Sequence, residues 1–176
     1  MLADLSPLIA AATEWLTRAY PACGGPLASA LCEAQARQAV TVAAWLRYPT
    51  AMDAALVAMA GPGGAGRLDS IVGSDTADTA DGSEDEAWRT WVDEAVVSWA
   101  ASLLTDARLA GLAVSALADG EHMTVAPVGF GRLRSPDDGD RRAAALLRHP
   151  DLLDPVAALY REELLGRLGR GQALVA

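Results

Sequence analysis

The 176-residue chain has no lysine, no asparagine and a single phenylalanine, and only two cysteines and two histidines. Each scarcity narrows what the protein can be. With lysine absent, all 14 cations are arginine, and 23 acids outnumber them to give a net charge of −9. A chain of that charge is not expected to hold nucleic acid as a general partner. The missing Lys and Asn, beside abundant Ala, Gly and Arg, read as the coding bias of a high-GC bacterium before any selection for arginine chemistry. Cys23 and Cys32 are too few for a disulfide framework and fit a reduced pair in a cytoplasmic protein. His122 and His149 belong to no H-E-x-x-H and no helical E-x-x-H, so neither a metal nor a cofactor is expected. No G-x-S-x-G elbow is present. No apolar run reaches about 18 residues without a charge or a breaker, so no membrane span is expected. No basic stretch followed by an apolar one opens the sequence, so no secretory signal is expected either. The lone Phe and the rarity of β-branched clusters argue against an all-β chain.

What is there favours helix. Apolar residues make up 52% of the chain, and Ala and Leu dominate them. The length suits one domain with a core that needs no covalent staple. The reading is all-α: roughly a six-helix bundle with one small β-hairpin near residues 122–134.

Residues 1–60 read as a three-helix segment. Ser6 and Pro7 mark the first start, as N-cap and first helical residue, and Leu8, Ile9, Ala12, Trp15, Leu16 and Ala19 form an apolar stripe. A second helix spans about Pro26 to Tyr48, with Leu27, Leu31, Ala34, Val42, Trp45 and Leu46 as core candidates. Thr50 and Asp53 resemble a capping box for a short third helix through Ala60. Residues 61–82, rich in Gly, Ser, Thr and Asp, lose all periodicity and read as a flexible linker loop. Residues 83–176 read as a long helix from Glu84 to about Ala118, then the hairpin, then a C-terminal helix pair, packed with 1–60 as one domain. Asp106 or Gly111 are the positions at which the long helix would split.

Two motifs in the linker fail on inspection. The acids at Asp75, Asp78 and Asp81 fall every third residue. With Gly82 at the sixth position of a calcium loop, Ala77 would stand at the first and Trp88 at the twelfth, so the loop lacks its ligands. Ser83 to Glu86 reads instead as a capping box opening the long helix. Gly61 to Leu68 imitates a phosphate-binding loop, but it has Arg67 for the lysine, Leu68 for the hydroxyl and a helix before it in place of a strand.

Three of the five tryptophans, Trp88, Trp91 and Trp99, lie within twelve residues and form an aromatic ridge at helical spacing. Core filling is the first expectation for such a ridge. Its neighbourhood to an acidic loop raises a second, an anchor for a partner, because Trp and Arg are frequent hot spots. The leading functional expectation is therefore a non-enzymatic interaction subunit: an adaptor, chaperone or assembly component. Its partner would be another protein, or further copies of itself, with Trp88, Trp91, Phe130, Arg132 and Arg134 as binding candidates. No catalytic residue is assigned. The alternative is a small helical enzyme or ligand-binding protein with a pocket between helices, lined by Trp45, Trp99, His122 and Phe130. A closed cavity with His122 or an arginine turned inward would favour the alternative; an exposed apolar patch would favour the first.

Overall fold

The computed structural model describes residues 4–73, 84–126 and 128–173. Within them the chain forms α1 (Ser6–Ala19), α2 (Pro26–Arg47), α3 (Ala51–Ala60) and α4 (Gly66–Val72), then a 3₁₀ segment (Glu84–Trp91). These are followed by α5 (Glu94–Thr105), α6 (Ala107–Ala116), α7 (Glu121–Val125), α8 (Gly131–Arg134), α9 (Asp138–Ala143), α10 (Pro150–Ala157) and α11 (Arg161–Ala173). The all-α class holds. There is no strand among the described residues, and the helices are more numerous and shorter than a six-helix reading implies.

The architecture is organised around α5. Ten consecutive residues, Ala95 to Leu104, are buried, so this helix has no solvent face. α2, α1, α10, α6 and α11 surround it. Small side chains make the close approach feasible: Ala36, Ala39, Ala43 and Ala44 on α2 and Ala100 and Ala101 on α5 are fully or almost fully buried. Trp99, Leu103, Leu8, Leu16 and Leu153 supply the bulk between them. Two polar groups of α5 enter this core with partners, while the buried Ser102 hydroxyl has none among the described residues. The Ser98 hydroxyl donates to the Ala157 carbonyl at 2.9 Å and accepts from the Tyr160 N–H at 3.0 Å, and the Trp99 indole N–H donates to the Tyr160 carbonyl at 3.1 Å. Three bonds thus seat the turn between α10 and α11 on α5.

The expected long helix is three pieces, and aspartate makes both breaks. Asp93 has extended backbone and its carboxylate accepts from the Ala95 and Val96 N–H groups; Asp106 is likewise extended and accepts from the Leu109 N–H. Each carboxylate satisfies N–H groups orphaned at a helix start, so the chain restarts there and does not run through. Asp106 was one of the two expected split points.

Among the described residues of 122–134 there is no hairpin: α7 and α8 take up both ends of that stretch. Gly120 leads into α7 with extended backbone, and the Leu133 N–H finds a side-chain acceptor, Gln38 Oε1 at 3.0 Å. The backbone there is satisfied by α2 and by local helix. Residues 66–72, read as irregular, form α4, held by the Asp69 carboxylate, which accepts from the Trp15 indole N–H at 2.8 Å and pairs with Arg89 at 2.8 Å. The Ser83 capping box and the acids from Asp75 to Asp81 lie outside the described residues. Near the C-terminus, Pro150 opens α10 at its first position. Pro155 lies inside α10. The first turn of α2 holds Leu27 at 73% exposure, outside the core it was expected to join.

Candidate functional site

The sequence of α3, AMDAALVAMA, carries one charge, and local structure consumes it. Asp53 Oδ2 accepts from the Thr50 N–H and hydroxyl at 3.1 and 2.7 Å, while the Asp53 N–H donates to Thr50 Oγ1 at 3.2 Å, completing the expected capping box. A helix apolar on all sides normally belongs in a core. This one buries only Ala54 and Val57. Met52, Leu56 and Met59, spaced by four and three residues on one face, are 69%, 52% and 79% exposed. At its N-terminus α3 is tethered to α7, where the Ala51 N–H donates to Glu121 Oε2 at 2.9 Å.

Beyond α3 the chain reverses through a glycine loop. Gly61, Gly63 and Gly64 have φ of 74°, 108° and 90°, conformations that a Cβ disfavours. The Gly64 N–H donates to the Val92 carbonyl at 3.1 Å, which pins the loop to the entrance of α5. An open hollow of about 680 Å³ lies between this loop, the end of α3 and the 3₁₀ segment, with Met59, Gly64, Asp69, Arg89 and Trp91 among its lining. Met59 belongs to both the exposed stripe and the hollow. One surface therefore joins the apolar face of α3 to Trp91.

The other partner candidates do not gather there. Trp88 meets two cations: the guanidinium carbons of Arg18 and Arg89 each lie 5.1 Å from its ring centre, a cation–π arrangement that spends the ring on joining α1 to the 3₁₀ segment. Phe130 is buried at 4% and meets Trp45 edge-on at 5.9 Å. Arg132 pairs with the buried carboxylate of Asp140 at 2.5 Å. Arg134 is exposed, and its side chain has no hydrogen bond or ion pair among the described residues.

Of the residues assigned to a pocket, Trp45, His122 and Phe130 come together and Trp99 does not. His122 stacks on Trp45 with centroids 5.3 Å apart and planes at 13°. Its Nε2 lies 2.7 Å from the Tyr48 carbonyl. A carbonyl can only accept, so Nε2 carries the proton and donates. The ring thus clasps α7 to the end of α2. Two hollows open to solvent flank it: one of about 430 Å³ against Asp4, Ile9 and Val125, and one of about 400 Å³ against Met123, Arg167 and Arg170. Trp99 lies 2% exposed under the Arg47 guanidinium at 5.8 Å.

That guanidinium belongs to a polar lock the sequence reading did not find. Asp93 is buried. Its Oδ2 accepts from the Tyr48 hydroxyl at 2.5 Å and lies 3.4 Å from Arg47 Nε, and Arg47 Nη1 reaches Glu163 at 2.8 Å. Burial, then the hydrogen bond to Asp93 and its charge, push the Tyr48 phenol up to about 12. Burial works against the Arg47 charge, but Asp93, Tyr48 and Glu163 outweigh it and raise its pKa. Every charge here has a partner, so the arrangement is a fastener between α2, α5 and α11 and offers no free acid or base. Cys23 is exposed, Cys32 is buried, and both are free thiols; burial pushes Cys32 up. Among the described residues no three His, Cys, Asp or Glu side chains gather as a metal site, and no helix is long and apolar enough to cross a membrane.

No protein-family model, curated protein or solved structure matches the chain.

Proposed function

We propose that the protein is a non-enzymatic interaction subunit whose α3 face and adjoining hollow receive another protein. One observation carries this reading: a helix with nine apolar residues in ten leaves Met52, Leu56 and Met59 in solvent. Fully covering side chains of this size is worth about 1.5–3 kcal/mol each, and methionine adapts to irregular partner surfaces better than branched residues. Trp91 at the edge of the hollow supplies an aromatic anchor. The chain's net charge of −9 opposes pairing with a second copy and favours a different protein with an apolar ridge and a basic rim.

Native mass spectrometry of the untagged protein, purified from its own host in mild salt, tests this against the triple variant Met52→Glu, Leu56→Glu, Met59→Glu. The wild type should carry one defined partner protein that the variant loses while keeping its helical circular dichroism. A partner retained by the variant, or a wild type that is a bare monomer, overturns the proposal. A monomer carrying a small molecule would support the second reading, a ligand-binding protein. That reading rests on Arg167 and Arg170 beside Trp45 and His122 in the 400 Å³ hollow.

A further inference from the structure

Away from α3 the surface changes sign. Between residues 131 and 148 five arginines face three aspartates, in a chain that is otherwise strongly acidic. An open hollow of about 570 Å³ lies here between the α5–α6 junction, the end of α8 and the segment after α9. Arg134, Arg141 and Arg148 line it together with Thr105, Ser135 and apolar walls such as Leu104 and Pro136, and no acid does. It shares no lining residue with the α3 surface.

The three arginines differ in how they are held. Arg148 is partly buried and fixed: Nε donates to Gln35 Oε1 at 2.6 Å, Nη1 to the Leu104 carbonyl at 3.2 Å and Nη2 to the Arg132 carbonyl at 2.9 Å. All three acceptors are uncharged, so this cation touches no carboxylate. A guanidinium has five N–H groups, and two of these remain free. Gln35, itself fully buried, is held in turn by donating to the Asp140 carbonyl at 2.9 Å. Burial pulls Arg148 below its ordinary range, against the field of Asp140, and the neighbouring Arg141 adds to the pull. Arg141 meets Asp138 only at 3.3 Å, with both side chains largely exposed, a contact that competes weakly with a ligand. The Arg134 side chain is exposed and makes no hydrogen bond or ion pair among the described residues; only its backbone N–H is bonded, to the Phe130 carbonyl at 3.1 Å.

We propose that this hollow is a binding site for a small phosphate-bearing molecule, a mono- or diphosphate, with Arg148 as the fixed contact and Arg134 and Arg141 closing on it. Three guanidinium groups around a hollow that no acid lines match a multiply charged anion with several acceptor oxygens, whereas a single carboxylate fills one such fork. The volume falls within the range of about 300–1,000 Å³ usual for small-ligand sites. The apolar wall of Leu104, Ala107, Pro136 and Ala145 gives the carried group a surface to lie on. A long polyanion is opposed by the charge of the rest of the molecule.

Phosphorus-31 NMR of inorganic pyrophosphate, titrated with the full chain at constant ionic strength, tests the site. The pyrophosphate lines should broaden saturably, and the double variant Arg134→Gln, Arg141→Gln should weaken binding at least tenfold. Arg134→Gln alone, which removes no contact, should weaken it at least threefold and guards against a folding defect in the double variant. Arg37→Gln, on the exposed face of α2, should change nothing. Absence of saturable broadening, equal weakening by Arg37→Gln, or displacement by equimolar acetate would each overturn the assignment.

Discussion

Replacing Asp93 should damage this fold more than its position outside the apolar stripe suggests. One carboxylate starts the central helix through two N–H groups, accepts from Tyr48 and faces Arg47, all while 3% exposed. Asp93→Ala removes all of these at once. Breaking a buried pair by deleting one partner costs about 3–5 kcal/mol. Arg47 keeps Glu163, which places the loss at the low end, and losing the cap adds about 1 kcal/mol. The sum is about 4 kcal/mol. Asp93→Asn keeps an oxygen for the cap and loses the charge, for about 2 kcal/mol. In a domain of this size each kcal/mol moves the melting temperature by about 2–4 °C, so Asp93→Ala should melt about 8–16 °C lower and Asp93→Asn about half as far. Urea unfolding at pH 7, analysed with a common slope, measures both. In the Asp93→Asn, Tyr48→Phe double variant the losses should fall short of additive, because the two share a bond. An Asp93→Asn protein within 0.5 kcal/mol of wild type would refute the reasoning, since the charge would then contribute nothing. Full additivity would refute the coupling to Tyr48.

The same cluster sets an alkaline limit. Tyr48 is raised from 10.0 to about 12 in the fold. The native state therefore keeps a phenolic proton that the unfolded chain releases, and the contribution is complete below pH 10 and lost as pH rises through about 12. Urea midpoints of wild type should fall more steeply than those of Tyr48→Phe across that window, and parallel curves would contradict this. Gln35→Leu deletes a buried acceptor from the Arg148 cation and a donor to the Asp140 carbonyl; at about 1.5–3 kcal/mol for a bond to a charged group, urea unfolding should show a loss of about 3 kcal/mol. Met59→Glu, at 79% exposure, should leave the stability of the isolated chain within about 0.5 kcal/mol; a larger loss would mean that α3 is held by its apolar face.

The parts of the fold legible in the sequence were those fixed by local chemistry. Thr50 and Asp53 form the capping box their spacing predicts, whereas Ser6 is not the cap expected of it: α1 starts at Ser6 itself, whose N–H donates to Asp4 Oδ1 at 2.9 Å. Asp93 carried the same kind of signal, an aspartate ahead of a helical run, but periodicity carried the reading through it. The expected hairpin rests on Thr124, Val125, Val128 and Phe130, around Pro127. Neither valine reaches the core, at 63% and 41% exposure, and Phe130 is drawn inward by Trp45. A handful of β-branched residues does not make a strand when no neighbour offers an edge to pair with. Helix α4 was hidden for a different reason: what holds it, Asp69 between Trp15 and Arg89, joins residues 54 and 20 positions apart, and no local pattern reports that.

The two surfaces proposed for binding follow from how the core is filled. α5 is apolar enough to be buried on every side and takes the centre of the bundle. α3 is as apolar, and its sequence alone would place it in the core equally well. With the centre taken, α2 and α5 bury their alanine faces on each other, and α3 is left at the edge with its methionines outward. Periodicity shows that a face is apolar; only packing decides which apolar face goes uncovered. The basic hollow has the same origin. Arg148 could hardly be told from the other thirteen arginines by its neighbours in sequence. What sets it apart is that Gln35, 113 residues away, accepts from it where a carboxylate would ordinarily stand. That choice holds the side chain in place and leaves its charge unspent, which is the condition for an anion from solution to complete it.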